Sequence, residues 1–91
     1  MNSYKEAILN NICYTELVYE RINKKLNLEL SKPNIEAFIL TIILETDESG
    51  FKKKGKNIYI TNTDKKIILT INSNTNRIIT ADQLKEYTTT Y

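Results

Sequence analysis

A chain of 91 residues with 41% hydrophobic content can bury one core but not two, which predicts a single domain over 1–91. Its 13 basic and 11 acidic residues leave a net charge of +2, with no histidine and a single cysteine, Cys13. These counts exclude an internal disulfide, Ser-His-Asp or Cys-His hydrolysis and a histidine-based metal centre, so no cofactor or metal is expected.

The apolar stretch 37–44 is far shorter than the roughly 20 residues that cross a bilayer, and the residues after Met1 lack the apolar core of a secretory signal. The expected location is therefore the reducing cytoplasm, with no membrane partner. Eleven of the 13 basic residues are lysine, and with abundant Ile, Asn and Tyr this is what an AT-rich coding sequence produces. Charge is unevenly divided: residues 1–50 hold five basic and eight acidic side chains (net −3), and residues 51–91 hold eight basic and three acidic (net +5).

In chain order, Ser3-Tyr4-Lys5-Glu6 has the form of a capping box, and Tyr4, Ile8 and Ile12 follow at helical spacing, so a first helix starts near Tyr4. A short break is expected at Cys13 to Thr15. Thr15 then caps a second helix whose face carries Val18, Ile22 and Lys25 or Leu26. Pro33 suits the first turn of a third helix. Its body, Ile35 to Leu44, is apolar on nearly every side from Ala37 onward, and its β-branched residues would also suit a strand. The proline start and a length of about ten residues favour a helix. All-round apolarity predicts deep burial, within the domain or across a homodimer formed through 37–44.

After the turn cluster Thr46 to Gly50 the pattern changes to short runs: Phe51 to Lys54, Asn57 to Thr61, Lys66 to Asn72 and Arg77 to Ala81. Their short connections predict antiparallel hairpins, giving an α+β fold with a helical half at about 3–46 and a three- to four-stranded β-meander at about 50–82. Period two sets Ile58, Ile60, Ile67, Leu69 and Ile71 towards the helices, and Tyr59, Thr61, Lys66, Ile68 and Thr70 on the opposite face, with Arg77 at its edge. The tail, 83–91, is expected to fray after a helical turn through Leu84.

Gly50-Phe51-Lys52-Lys53-Lys54-Gly55-Lys56-Asn57 comes within one residue of the phosphate-binding loop G-x-x-x-x-G-K-[ST]. Asn57 replaces the magnesium-binding hydroxyl, and the segment leads into a strand instead of a helix, so it reads as a hairpin with basic rungs. Without histidine, the remaining chemistry is that of Lys, Arg, Tyr and Thr holding a phosphodiester and moving a proton; Lys56, Tyr59, Arg77 and Thr80 are the candidate catalytic residues. Lys52, Lys53, Lys54, Lys56, Lys66 and Arg77, with Lys65, could neutralise RNA phosphates while Tyr59 stacks on a base. The competing reading makes Lys56 and Arg77 solvated strand-end charges, Tyr59 and Thr80 ordinary sheet residues, and the lysines protection for an edge strand. Cys13 has apolar neighbours and reads as a small buried hydrophobe.

Thr15-Glu16-Leu17, Arg21-Ile22, Asn27-Leu28, Gly55-Lys56-Asn57-Ile58-Tyr59-Ile60, Ile71-Asn72 and Ile78-Ile79-Thr80-Ala81 resemble, in order and spacing, the family catalogued as domain of unknown function 3781. The layout is more loosely similar to that of RelE and barnase-like ribonucleases. That likeness implies that Arg21, Lys56, Arg77 and Thr80 lie near one site on the sheet. The chain departs from the family pattern where Cys13 and Asp82 stand in place of histidines and Val18 in place of glycine, which implies a binder more than a catalyst.

The expected function is a small domain with a RelE-like layout that binds RNA more than it cleaves it; if catalytic, it is a metal-independent ribonuclease. The alternative is a protein-binding inhibitor from a mobile element such as a phage, of the anti-defence type, acting on a host protein. A third option is a sponge for a phosphorylated signal molecule held in the basic half.

Overall fold

The computed structural model describes residues 4–84, which form an α+β domain of three helices followed by a four-stranded antiparallel sheet. The helices are α1 (Tyr4–Asn11), α2 (Glu16–Leu26) and α3 (Lys32–Glu45). A single 3-10 turn, Glu48–Gly50, leads into β1 (Phe51–Lys54), β2 (Asn57–Asn62), β3 (Ile67–Asn72) and β4 (Ile78–Gln83). The strand order β1-β2-β3-β4 is a meander. Ser3 of the expected capping box and the tail from Lys85 lie outside the described residues. β4 runs through Gln83, so a strand occupies the start of the segment expected to form a helical turn.

Local chemistry explains the helix ends. α2 stops at Asn27, which adopts the left-handed conformation (φ 56°) that asparagine tolerates, and its N–H returns to the Asn23 and Lys24 carbonyls. The Asn23 side chain then clamps the following loop, donating to the Leu30 carbonyl at 3.0 Å and accepting from the Leu30 N–H at 3.1 Å. α3 opens on Ser31, whose hydroxyl accepts from the Asn34 N–H, with Pro33 in the first turn.

The apolar pattern sets the packing. Ile8, Val18, Ile22, Leu26, Ile35, Ile39, Ile42 and Ile43 form the buried side of the helical layer. They meet Phe51, Ile58, Ile60, Ile67, Leu69, Ile71, Ile78 and Ala81 on one face of the sheet. Each fully buried isoleucine contributes roughly 1.5–3 kcal/mol relative to exposure. The segment 37–44 is helical as expected, but its all-round burial is not observed: Leu40 is 40% exposed and Leu44 is 55% exposed. One flank of α3 covers the sheet and α1, and the other faces away from both.

Each hairpin has its own turn chemistry. Lys54 pairs with Asn57 across the two-residue turn Gly55-Lys56. Only the first turn residue is left-handed (Gly55, φ 64°), the II′ geometry that demands glycine there. The hairpin replaces any phosphate-binding loop. In the β2–β3 turn Lys66 is left-handed (φ 58°), and Asn62 Oδ1 accepts from the Lys65 N–H at 2.8 Å. In the β3–β4 turn Asn76 is left-handed (φ 57°), and Asn72 Oδ1 accepts from the Asn74 and Thr75 N–H groups.

A buried polar tie joins the two halves. Thr46, at the end of α3, donates from Oγ1 to the Ile42 carbonyl at 2.6 Å and accepts from Asn62 Nδ2 at 3.0 Å. Thr46 and Asn62 are each 4% exposed. Beside them Gly50 admits no side chain, because a Cβ there would lie 2.7 Å from the Thr61 carbonyl oxygen. Asn62→Ala leaves the Lys65 N–H without its acceptor and should lower stability by about 1–3 kcal/mol. Gly50→Ala, through overpacking against backbone, should cost about 1–3 kcal/mol. Both effects are read as a shift of the urea midpoint at unchanged slope.

Candidate nucleic-acid interface

The sheet has one face under the helices and one facing outward, and strand register assigns each polar residue to a side. Phe51 is buried on the helix side, so Lys52 and Lys54 point outward and Lys53 points to the helix side. Lys52, Tyr59, Thr70 and Thr80 are consecutive register partners and form one rung across the outer face. The next rung holds Lys54, Asn57 and Asn72. It ends at Arg77, whose carbonyl accepts from the Asn72 N–H at 2.9 Å and whose side chain, next to buried Ile78, falls on the outer side. Neighbouring strands are about 4.8 Å apart, which places Tyr59 roughly 10 Å from Thr80 with Thr70 between them.

Thr80 reaches this face through an irregularity. Ile71 pairs with Ile78 while Thr70 pairs with Thr80, so Ile79 is an extra residue in β4. Uninterrupted alternation would set Thr80 on the side of Ile78, among the helices. The bulge turns it outward and leaves the Ile79 carbonyl at the edge, where Arg21 Nη1 donates to it at 3.1 Å. The Thr80 hydroxyl is buried and has no hydrogen-bond partner.

Arg21, Arg77 and Thr80 thus gather along β4. Lys56 sits in the β1–β2 turn, where its carbonyl accepts from the N–H and hydroxyl of Ser73, at the same end of the sheet as Arg77. Lys52, Lys54, Tyr59, Arg77 and Thr80 share the outer face. Two expected members are elsewhere. Lys53 lines a cleft on the helix side with Tyr4, Ile8 and Ile58. Lys66 precedes β3 at the far end of the sheet, where its left-handed backbone breaks the strand alternation that predicted an outward position. Its neighbour Lys65 faces Glu45 at 3.6 Å.

Among the described residues no carboxylate pairs with Lys52, Lys54, Lys56 or Arg77. Asp82, which pairs in register with Ile68 on the outer side, is held by Lys25 at 2.9 Å. Thr61 lies at the other end of this face, beside a cleft of about 460 Å³ walled by Glu45, Asp47 and Asp64, so negative charge bounds the basic surface there. The Asp47 carboxyl is held below the usual aspartate range, chiefly by hydrogen bonds from the Ser49 hydroxyl and N–H.

Cys13 is exposed, contrary to the expectation of burial. Its backbone is used instead of its side chain: its N–H donates to the Asn76 carbonyl at 2.9 Å and its carbonyl accepts from the Ile78 N–H at 2.9 Å, extending the sheet by one parallel bridge at Arg77. Cys13 thus lies beside β4 at Arg77, and Asp82 lies within β4. Thr70, Asn57 and Asn72 went unrecognised as site residues, although their polar character at outward strand positions marks them. Lys25 left no sequence signal, because its role depends on α2 packing along β4.

A second polar cluster links α2 to α3. Tyr14 and Tyr19 stack with centroids 5.6 Å apart, Tyr19 donates to Glu36 Oε2 at 2.6 Å, and Lys32 lies 5.4 Å from the Tyr19 ring centre. Lys32 also pairs with Glu16 at 2.5 Å. Among the described residues no group of three or more His, Cys, Asp or Glu side chains is placed to hold a metal ion, and no helix is long and apolar enough to cross a membrane.

The family model described as "Protein of unknown function (DUF3781)" matches residues 6–82. No curated protein and no solved structure matches the chain, so no matched structure shows the RelE-like likeness.

The phenols of the α2–α3 cluster give a pH signature. The Tyr19 pKa is pushed up to about 12, first by its hydrogen bond to Glu36 and then by burial and the Glu36 and Glu16 charges. Tyr14 is raised further, first by burial and then by the Glu36 charge. A raised phenol pKa means stabilisation that is complete below the ordinary value of 10.0 and is lost as pH climbs towards about 12. Glu36→Gln should move the Tyr19 titration back towards 10.0, read from tyrosinate absorbance against pH.

Proposed function

We propose that this chain, which belongs to the family described as protein of unknown function (DUF3781), binds single-stranded RNA across the outer face of its sheet and does not cleave it. The observation that carries this reading is the arrangement of Lys52, Lys54 and Arg77 around the Tyr59 ring, on a face where none of these cations has a carboxylate partner among the described residues. Unpaired cations neutralise phosphates and release counterions, and a tyrosine ring on a sheet face accepts a stacked base; Tyr59 is half-buried on this face. Thr70 is buried and the Thr80 hydroxyl is buried and partnerless, so the contacts to RNA fall to Lys52, Lys54, Arg77 and the Tyr59 ring.

Binding is favoured over cleavage by the same inventory. Proton transfer at a phosphodiester is most efficient with a group that titrates near neutrality. The chain has no histidine, and the outward carboxylate Asp82 is tied to Lys25.

In a mobility-shift titration with single-stranded RNA, wild-type protein should bind with affinity that falls as salt rises. Tyr59→Ala should cost about 1–3 kcal/mol of binding. Arg77→Ala should reduce the slope of log affinity against log salt by about 0.7. Absence of salt-sensitive binding by the wild type defeats the reading. RNA cut by the wild type but not by Lys56→Ala or Arg77→Ala would make it a ribonuclease instead.

A second reading, a protein-binding module that dimerises through α3, is favoured by the exposure of Leu40 and Leu44, one turn apart on that helix. Light scattering should then give a dimer mass that Leu44→Glu halves, and a monomeric wild type removes the case.

A further inference from the structure

The two edges of the sheet differ. At β4 the backbone of Cys13 and the guanidinium of Arg21 occupy the outward peptide groups around Arg77 and Ile79. At β1 the edge is open. Across a two-residue turn Lys54 and Asn57 form the hydrogen-bonded pair, as do Lys52 and Tyr59 two residues on, so the peptide groups of Phe51 and Lys53 point away from the sheet. The Phe51 N–H returns to the Glu48 carbonyl. The Phe51 carbonyl and both peptide groups of Lys53 have no partner among the described residues.

Such an edge pairs with an added strand, and its charge selects which. Lys52, Lys53 and Lys54 are all exposed and none is ion-paired among the described residues. They alternate, two on the outer side and one on the helix side, so a strand laid along β1 meets positive charge from both faces. A second copy of β1 would set lysine against lysine, and like charges opposite one another destabilise pairing. An acidic strand would set carboxylates against them. Asp47 and Glu48 immediately precede β1 in the chain, and Glu45, Asp47 and Asp64 share a cleft with Lys52, so a partner's carboxylates belong opposite Lys53 and Lys54. On the helix side of Lys53 lies a cleft of about 350 Å³, with Tyr4, Ile8 and Ile58 in its wall. A residue opposite Lys53 points towards that side.

We propose that the open edge of β1 docks an extended acidic segment of a partner protein as a fifth strand. The inference shares Lys52 and Lys54 with the RNA reading but stands without RNA binding, since it rests first on the outward peptide groups and on Lys53, which lies on the opposite face of the sheet from Tyr59.

The test uses the described chain and a peptide of about eight residues alternating Glu and Val. A Lys and Val counterpart and two N-methylated versions of the acidic peptide, blocked at odd or at even residues, serve as controls. The acidic peptide should bind and slow hydrogen exchange of the Lys53 amide by at least about tenfold. One N-methyl pattern should abolish binding while the other preserves it, because only alternate N–H groups of an added strand face its neighbour. The basic peptide should not bind. No binding of the acidic peptide, an unprotected Lys53 amide, or equal binding of both N-methylated forms overturns the proposal. The last outcome would reduce the contact to general charge attraction.

Discussion

A sheet covered by helices on one face only must sort its side chains by parity, and in this domain nearly everything else follows from that sorting. Ile58, Ile60, Leu69 and Ile71 are driven onto Ile22, Ile35, Ile39 and Ile42, leaving Tyr59, Thr70, Asn57 and Asn72 facing outward. A register slip of one residue would invert both sets, so the isoleucine pattern specifies the register strongly. The same parity divides three consecutive lysines between two faces. It therefore limits the basic outer surface to Lys52, Lys54 and Arg77, although the linear sequence shows a denser cluster.

The parity fails once, at Ile79, and the consequences are local and chemical. The extra residue lets Ile78 and Ala81 both face the core while Thr80 faces outward. It also leaves a carbonyl at the edge of β4 for Arg21. Bulges commonly sit where a strand must re-aim a side chain, and here the re-aimed residue carries a buried hydroxyl with no partner. The outer face thus ends, on the β4 side, in a rim built jointly by a strand, a helix and the segment between α1 and α2.

Closure of one edge and exposure of the other follow from the chain path. The α1–α2 connection passes beside β4, so Cys13 can add its one bridge and α2 can lie along the strand. β1 follows the 3-10 turn directly and, among the described residues, has no strand on its outer side. Lysine at such an edge protects against self-association, and the same charges discriminate among strands that could pair there. The Thr46–Asn62 tie holds the end of β2, the strand paired with β1, against the end of α3, which keeps the edge in a fixed relation to the helical layer.

The helices and the antiparallel meander of three to four strands were legible in the sequence, because they rest on local chemistry: Pro33, Gly55, and hydrophobic spacing of 3.6 or 2. Thr15 stands at the start of α2 as expected but makes no side-chain capping hydrogen bond. The division into an acidic helical half and a basic strand half was legible as well. The helical state of 37–44 followed from its start and length. Its partial exposure did not, because burial depends on what packs against a helix and not on its composition. Cys13 has the neighbours of a buried residue but is exposed, since its place is set by backbone pairing with a strand more than sixty residues later in the chain. The positions of Lys53 and Lys66 turned on strand parity and on one left-handed residue. The outward turn of Thr80 depended on a bulge that alternation cannot anticipate. Arg21 and Lys25 acquire their roles only because α2 lies against β4. Sequence by itself determined the elements and their charge; tertiary pairing decided which of those charges share a face, because register and helix docking are long-range contacts that no local pattern encodes.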